Sequence, residues 1–317
     1  MLSLFRLSVL ATTLLLLACS APPRNTAPAS QVPPALAEQL KVIGPVINPP
    51  ATAKLYAPLA QTEPYEGMSV ERDLAYGPAE RNRLDVFVPR GAASRPVVVF
   101  VHGGGWVAGN KRAPGSPFYD NVMLWAAKSG FVGVNMTYRL APQNPWPAAQ
   151  QDIAAALTWV RQNIPARGGD PTRIYLMGHS AGAAHVAQYL AHPQFHVAAD
   201  SGLAGAMLVS GVFDLATFEA APTLQPYFGA DRALYAERSA LVGMTRSRVP
   251  MLLAAAELDP ADFRAQMQQA RAALCEAGNC PRTIELLGHS HMSEIYSINT
   301  EDRVLTDALR QFVEGRR

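Results

Sequence analysis

The pentapeptide Gly178-His179-Ser180-Ala181-Gly182 constrains this chain more than any other feature. It follows an apolar run, residues 173–177, that is typical of a buried strand, and it precedes residues 183–190, which are typical of a helix. A Gly-x-Ser-x-Gly sequence between a strand and a helix predicts a strained turn that exposes the serine hydroxyl as a nucleophile. Glycine is needed at both ends because a Cβ there would clash where strand and helix converge. Since the pentapeptide also occurs by chance, other motifs in the sequence are needed to support a nucleophilic serine.

Strand-like and helix-like segments alternate along the chain after residue 70. An antiparallel pair is predicted at residues 70–76 and 83–88. Further strands are predicted at 96–101, 131–135, 173–177, 203–209, 249–255 and 283–287, and helices at 118–129, 147–163, 261–274 and 302–312. This order predicts an α/β fold with a mostly parallel central sheet and helices on both faces.

We expect residues 62–317 to form one catalytic domain, which is long enough for a sizeable core. Residues 212–248 interrupt the alternation and contain several aromatic side chains among Pro, Gly and Ala. We interpret this segment as a peripheral insertion with its own small core. The alternative is a partial lid whose aromatic side chains line the substrate pocket.

The first 19 residues are expected to be a signal peptide rather than part of the fold. Arg6 precedes the apolar run Leu7–Leu17, which is shorter than the about 20 residues that a membrane-spanning helix needs. The run ends in Leu16-Leu17-Ala18-Cys19, which resembles a bacterial lipobox, the signal for lipid attachment to the cysteine. An ordinary secretory signal is the alternative, and it would give a secreted protein.

Residues 20–61 are rich in Pro and small polar residues, which predicts a flexible tether with a weak helical patch at 34–42. Together with acyl chains on Cys19, this predicts an enzyme anchored in the bacterial cell envelope and facing the periplasm. Ser20 after the cysteine favours the outer membrane.

Charge and cysteine content exclude several classes of function. The formal net charge is +2, and the basic residues are scattered, so nothing indicates nucleic-acid binding. Cys275 and Cys280 enclose a short turn-like loop and could form a disulfide in an oxidising periplasm. No histidine lies at ligand spacing from them, so we expect no metal and no cofactor.

A run of glycines follows the strand at 96–101, in His102-Gly103-Gly104-Gly105-Trp106. Glycines leave backbone N–H groups uncovered, and such donors could bind the oxyanion of an acyl-transfer intermediate together with the amide of Ala181. A phosphate-binding loop is disfavoured because neither a Gly-Lys-Ser/Thr ending nor a GxGxxG spacing follows. We expect His102 to be a positioning residue rather than a base.

The acid and the base of a catalytic triad should follow the serine in the chain. The strand at 249–255 leads into Asp259, our first choice for the acid, with Glu257 as the second choice. The candidates for the base are His291 and His289, which follow the strand at 283–287. We favour His291. A two-histidine zinc site at these positions would lack supporting ligands.

Together, these motifs resemble the α/β-hydrolase superfamily, and within it the hormone-sensitive-lipase-like carboxylesterases. The segment Tyr138-Arg139-Leu140-Ala141-Pro142 and the ending Gly288–Ser293 also match the family pattern. The resemblance selects His291 as the base and places the oxyanion donors at Gly103, Gly104 and Ala181. Two departures leave the substrate open. The N-terminal cap is short or missing, and Ala261–Arg264 stands where many members have an Asp-Glu pair.

The resemblance implies a serine carboxylesterase that hydrolyses small or short-acyl esters through an acyl-enzyme, with Ser180, Asp259 and His291 as the triad. An amidase, a formamidase-like enzyme or a serine peptidase on the same fold is the first alternative, because these reactions share the same machinery. A non-catalytic lipoprotein on a hydrolase scaffold is the second. It is disfavoured because all the motif residues are present.

Overall fold

One eight-stranded sheet organises the protein, whose computed structural model describes residues 30–218 and 222–315. The strands are β1 (Met68–Ala75), β2 (Arg83–Pro89), β3 (Arg95–Val101), β4 (Val132–Met136), β5 (Gly169–His179), β6 (Gly205–Val209), β7 (Met251–Leu258) and β8 (Arg282–Ser290). Their order across the sheet is β1-β2-β4-β3-β5-β6-β7-β8. The pairs β1–β2 and β2–β4 are antiparallel and all the others are parallel, which confirms the predicted α/β fold.

Helices cover both faces of this sheet. They are α1 (Pro34–Ile43), α2 (Pro49–Tyr56), α3 (Asp120–Lys128), α4 (Ala148–Asn163), α5 (Ala181–Ala191), α6 (Leu224–Phe228), α7 (Tyr235–Arg238), α8 (Leu241–Arg246), α9 (Ala261–Glu276), α10 (Ser293–Tyr296) and α11 (Val304–Val313). In β3, Val97 and Val99 join the apolar layer with α4, α5 and α9, while Val98 and Phe100 join the layer with α3 and α11. A continuous apolar strand is therefore buried on both sides, as parallel central strands are.

The parallel strands end at one edge of the sheet, and this edge carries the segments that the sequence singled out. His102 follows β3, Ser180 follows β5, Asp259 follows β7, and His291 follows β8. Residues that are far apart in the chain therefore meet at the carboxyl ends of neighbouring strands, which is where α/β proteins place their sites.

The N-terminal part of the chain is ordered from residue 34 onward. Helix α1 confirms the helical patch predicted at 34–42, but the prediction of a flexible tether through residue 61 is wrong for residues 34–59. Helix α1 packs against β8, and α2 packs against α10. Leu40 is fully buried and Tyr56 is 2% exposed, so the apolar side chains of this stretch join the core. Two prolines begin α2 because the first turn of a helix needs no N–H donor, and Asn48 caps it.

The predicted signal peptide and Cys19 lie outside the described residues. Within residues 30–218 and 222–315, no helix is both long enough and apolar enough to cross a bilayer.

Residues 212–248 carry α6, α7 and α8, and residues 219–221 within them lie outside the described part of the chain. The aromatic side chains of this segment are buried and join the apolar layer that contains α4, α5 and α9; they are Phe213, Phe218, Tyr227, Phe228 and Tyr235. Phe228 packs edge-on against Trp106, with ring centroids 5.6 Å apart. The insertion therefore packs against the glycine run, and its role as a lid stays a prediction.

Candidate active site

Ser180 lies in a strained turn between β5 and α5. Its φ of 57° and ψ of −126° are unusual for a residue with a side chain. A Cβ on Gly178 would lie 2.4 Å from the carbonyl oxygen of Gly182, and one on Gly182 would lie 2.1 Å from that of Val101. Both glycines are therefore required sterically, as the sequence indicated. The serine side chain is held at the sheet edge with 7% exposure.

Asp259 and His291 form a fully buried pair. The Nδ1–H group of His291 donates to Oδ1 of Asp259 over 2.7 Å. The other oxygen, Oδ2, accepts from the Ser210 hydroxyl at 2.5 Å and from the backbone N–H of Ala256 at 2.9 Å. These bonds hold the carboxylate and keep the imidazole hydrogen on Nδ1. The second nitrogen, Nε2, is buried and has no hydrogen-bond partner within the described residues, so its lone pair is free to act as a base.

The packing around His291 also fixes its ring. Phe263 at the start of α9 lies against it, with ring centroids 4.6 Å apart and planes at 57°. This phenylalanine stands in the segment where the sequence departs from the Asp-Glu pair of the family.

The two second-choice residues have other partners. Nε2 of His289 lies 2.9 Å from Oδ2 of Asp302, and its Nδ1 lies 3.2 Å from the Ser293 hydroxyl. Although burial alone would raise it, the pKa of Asp302 is held below its ordinary value by the His289 hydrogen bond. The exposed carboxylate of Glu257 accepts from the backbone N–H of Gly288 at 2.7 Å. Neither residue joins the Asp259–His291 pair.

The glycine run lies against the nucleophile. A Cβ on Gly103 would be 3.1 Å from the Cβ of Ser180, which is tighter than most Cβ contacts, so glycine suits this close approach. Tyr138 Oη donates to the carbonyl oxygen of His102 at 2.8 Å, and His102 Nδ1–H donates to that of Gly103 at 2.7 Å. Because N–H and C=O point in opposite directions across a trans peptide, these bonds orient the N–H groups of Gly103 and Gly104.

The side chains behind the glycine run are buried and uncharged. The Tyr138 and His102 rings stack with centroids 4.4 Å apart. Burial lowers the pKa of His102 to about 3, so its ring is neutral near pH 7. This agrees with the expected positioning role of His102. Tyr138 was noted in the sequence only as part of a motif, and its contact with the glycine run required the fold.

Two buried groups near the triad were not singled out from the sequence. Nε2–H of His179 donates to the backbone carbonyl of His291 at 2.9 Å and lies 3.3 Å from Oε1 of Glu294. Glu294 is fully buried in α10, three residues after His291. Burial raises its pKa well above the ordinary value, and the Asp259 carboxylate raises it further. A glutamate in a short helix has no sequence signal that separates it from a surface residue.

His179, His291 and Glu294 offer ligand atoms that all lie within 4.8 Å of one another. Nε2 of His179 and Nδ1 of His291 are already occupied by hydrogen bonds, and Glu294 favours its protonated form. This donor set is therefore poorly suited to a metal ion, which needs deprotonated ligands.

Cys275 and Cys280 are joined by a disulfide that closes the turn between α9 and β8. It is a structural element of this turn.

Comparison with known proteins shows similarity to several esterases. The BD-FAE family model matches residues 84–214, which include the glycine run and Ser180. Esterase LipQ of Mycobacterium tuberculosis is 30% identical over 270 residues, covering 77% of this chain and 63% of LipQ. A probable isoprenylcysteine alpha-carbonyl methylesterase of Arabidopsis thaliana, ICMEL2, is 44% identical over 115 residues, covering 36% of this chain and 26% of that protein. The chain thus spans less than two thirds of either relative.

Among solved structures, esterase B from Lactobacillus rhamnosis superimposes with a TM-score of 0.69 at 20% identity, covering 84% of this chain and 90% of that one. At this identity, the likeness shows the fold alone. The family model, the relatives and the fold agree with the motifs that the sequence presents. The chain therefore has an α/β-hydrolase fold, and its sequence is similar to the BD-FAE family and to esterases.

Proposed function

We propose that the protein is a serine carboxylesterase that hydrolyses small or short-acyl esters. The observation that carries the proposal is the hydrogen bond between His291 Nδ1 and Asp259 Oδ1, which leaves Nε2 as a free base. Ser180, the candidate nucleophile, lies at the same sheet edge in a strained turn. The esterase names of the relatives and of the structural neighbour favour the same reaction.

In this mechanism, Ser180 attacks the ester carbonyl while His291 Nε2 takes the hydroxyl proton. His291 returns that proton to the leaving alcohol, and an acyl-enzyme remains. A water molecule then attacks the acyl group, with His291 again as base, and Ser180 is regenerated. Asp259 holds the imidazole tautomer and stabilises the imidazolium without taking the proton.

The oxyanion that forms at each attack is assigned to the N–H groups of Gly103, Gly104 and Ala181. Ala181 begins α5, and the first N–H groups of a helix have no partner within the helix. The positive end of the helix dipole adds to this donor. Tyr138 and His102 hold the two peptide groups of the glycine run, so the donors need no rearrangement when charge develops.

Short acyl groups are favoured by the surroundings of Ser180. Ser180 is 7% exposed, and Trp106, directly after the glycine run, is 2% exposed. Trp106 packs against Phe228 of the insertion, and both rings are buried, which leaves little open space around the glycine run for a long acyl chain.

A panel of aryl esters graded by acyl length, with acetylated sugars and aryl amides alongside, tests the proposal. We expect the purified protein to hydrolyse acetyl and butyryl aryl esters faster than long-chain esters, and Ser180→Ala to abolish this activity. Preferred cleavage of the amides would replace the proposal with an amidase or formamidase. Activity retained in Ser180→Ala would contradict it.

The identity of the base is tested by two matched histidine variants. We expect His291→Ala to lose ester hydrolysis and His289→Ala to retain it, because His289 pairs with Asp302 instead of Asp259. The reverse result would transfer the role of base to His289.

We further propose that the protein is lipid-attached through Cys19 in a bacterial envelope, facing the periplasm and most consistent with the outer membrane. The lipobox-like sequence before Cys19 supports this proposal. Expression of the full chain in a bacterium with lipoprotein processing should yield an acylated N-terminal cysteine by mass spectrometry, and Cys19→Ser should release the protein from membranes. A wild-type chain without acylation would contradict it.

A further inference from the structure

Behind the Asp259–His291 pair, His179 and Glu294 connect three segments of the active site. His179 is the last residue of β5 and directly precedes Ser180. Its Nε2–H bond to the backbone carbonyl of His291 joins the nucleophile strand to the loop after β8. Glu294 comes from α10 and lies 3.3 Å from the same nitrogen. Both side chains are fully buried.

We propose that His179 and Glu294 are positioning residues that set the distance between the His291 imidazole and the Ser180 hydroxyl. This inference rests on the proposed esterase function, in which His291 is the base.

The reason lies in how His291 is held. Its ring is attached through Asp259 to the end of β7, but a hydrogen bond to one ring nitrogen leaves the backbone of its loop free to move. The bond from His179 fixes that backbone. Because His179 is the chain neighbour of Ser180, the anchor of the base and the nucleophile belong to one rigid strand end.

Glu294 completes the anchor from the other side. Its Oε1 lies 3.3 Å from the ring nitrogen that holds the His291 carbonyl, and neither carboxylate oxygen has a hydrogen-bond partner within the described residues. The rings of His179 and His291 also pack together, with centroids 4.8 Å apart. A base displaced by about 1 Å can lose about 100-fold in rate, so this arrangement has a kinetic consequence.

The charge state of Glu294 also matters. Burial lowers the pKa of His179 well below its ordinary value and raises that of Glu294 well above it, so burial favours the neutral form of both groups. The titratable groups around α10 are Asp259 after β7, His179 on β5, His289 on β8, His291 after β8, and Tyr56 on α2. Asp259 is then the carboxylate whose charge acts on His291. Glu294 fills the space beside His179 and makes a polar contact with its ring.

Three variants of the full chain and one control variant test the inference. His179→Phe removes the donor and Glu294→Leu removes the polar contact, and each should lower kcat by up to about 100-fold with little change in KM. Glu294→Gln keeps a neutral group of the same shape, so it should retain kcat and the acid limb of the pH–rate profile. If Glu294 were charged, Glu294→Gln would move this limb to lower pH, which would overturn the neutral assignment.

Tyr189→Phe is the matched control. Tyr189 Oη donates to the backbone carbonyl of Ser201 at 2.8 Å, so it makes the same kind of buried bond to a different segment of the chain. We expect Tyr189→Phe to lower Tm as His179→Phe does, while kcat stays at the wild-type value. Equal losses of kcat in the two variants would show a general effect on stability and overturn the inference.

A readout without substrate separates this inference from the proposed function. The imidazole proton shared with Asp259 can be followed by NMR in the resting protein. We expect its resonance to shift or broaden in His179→Phe and to stay in place in Glu294→Gln. An unchanged resonance in His179→Phe would overturn the positioning role even if esters are hydrolysed. If His179→Phe shows the expected shift but the wild-type protein cleaves no ester, only the proposed function would be refuted.

Discussion

Replacement of Asp259 by Asn should abolish most catalysis while leaving the fold intact. Oδ2 of Asp259 accepts from Ala256 N–H and from the Ser210 hydroxyl, and the backbone N–H can only donate. An asparagine must therefore keep its oxygen on that side. Its NH2 group then occupies the place of Oδ1 and donates to Nδ1 of His291. The imidazole is forced to carry its hydrogen on Nε2, where it cannot accept the Ser180 proton.

The magnitude follows from the loss of the correct tautomer. The same change in a serine protease triad costs about 10⁴-fold in kcat, or about 5 kcal/mol of barrier. The opposite orientation of the asparagine would leave the Ala256 N–H unpaired in a fully buried site, at a cost of about 1–3 kcal/mol. The orientation that gives the wrong tautomer is therefore the favoured one.

The assay is hydrolysis of an acetyl aryl ester at neutral pH, with Tm measured on the same samples. We expect Asp259→Asn to lose about 10⁴-fold in kcat with a small change in Tm. Glu257→Gln is the matched control, because Glu257 is exposed and contacts Gly288 instead of His291. It should keep the wild-type kcat. An Asp259→Asn variant that retains a tenth of the wild-type rate, or about that, would refute the reasoning.

Three further changes follow from the same geometry. Tyr138→Phe should lower kcat with little effect on KM. The loss should be smaller than the about 10²–10³-fold that removal of an oxyanion donor costs, and an unchanged kcat would contradict the orienting role of the Tyr138 hydroxyl. Gly182→Ala places a Cβ 2.1 Å from the Val101 carbonyl oxygen, so circular dichroism and thermal melting should show a misfolded or strongly destabilised protein. Replacing Cys275 and Cys280 with Ser opens a short loop, so it should cost less than about 3 kcal/mol of unfolding free energy in a denaturant titration and leave kcat unchanged.

Much of the sheet was accessible from sequence because its strands are buried on both faces. β3 appears as an unbroken apolar run, and its predicted bounds of 96–101 differ by one residue from Arg95–Val101. The strand before Ser180 begins earlier, at Gly169, than the predicted residue 173, because polar residues at its start gave no apolar signal. The order of the motifs along the chain was sufficient to bring their segments to one sheet edge.

The N-terminal helices show where local patterns fail. Proline-rich composition favoured a tether, yet Pro49 begins α2, and Tyr56 at its end becomes buried against the domain. The burial of Tyr56 depends on a surface formed by residues more than 200 positions later in the chain, which no local pattern describes. Glu294 and His179 were missed for the same reason, since their contact exists only after β5 and α10 meet.

Phosphonylation by an aryl fluorophosphonate, mapped by mass spectrometry, tests the catalytic assignment most directly. We expect one adduct on Ser180 in the wild-type protein, strongly slowed labelling in His291→Ala, and no adduct in Ser180→Ala. Labelling at another residue, or a wild-type protein that stays unlabelled, would contradict the assignment of Ser180 as the nucleophile.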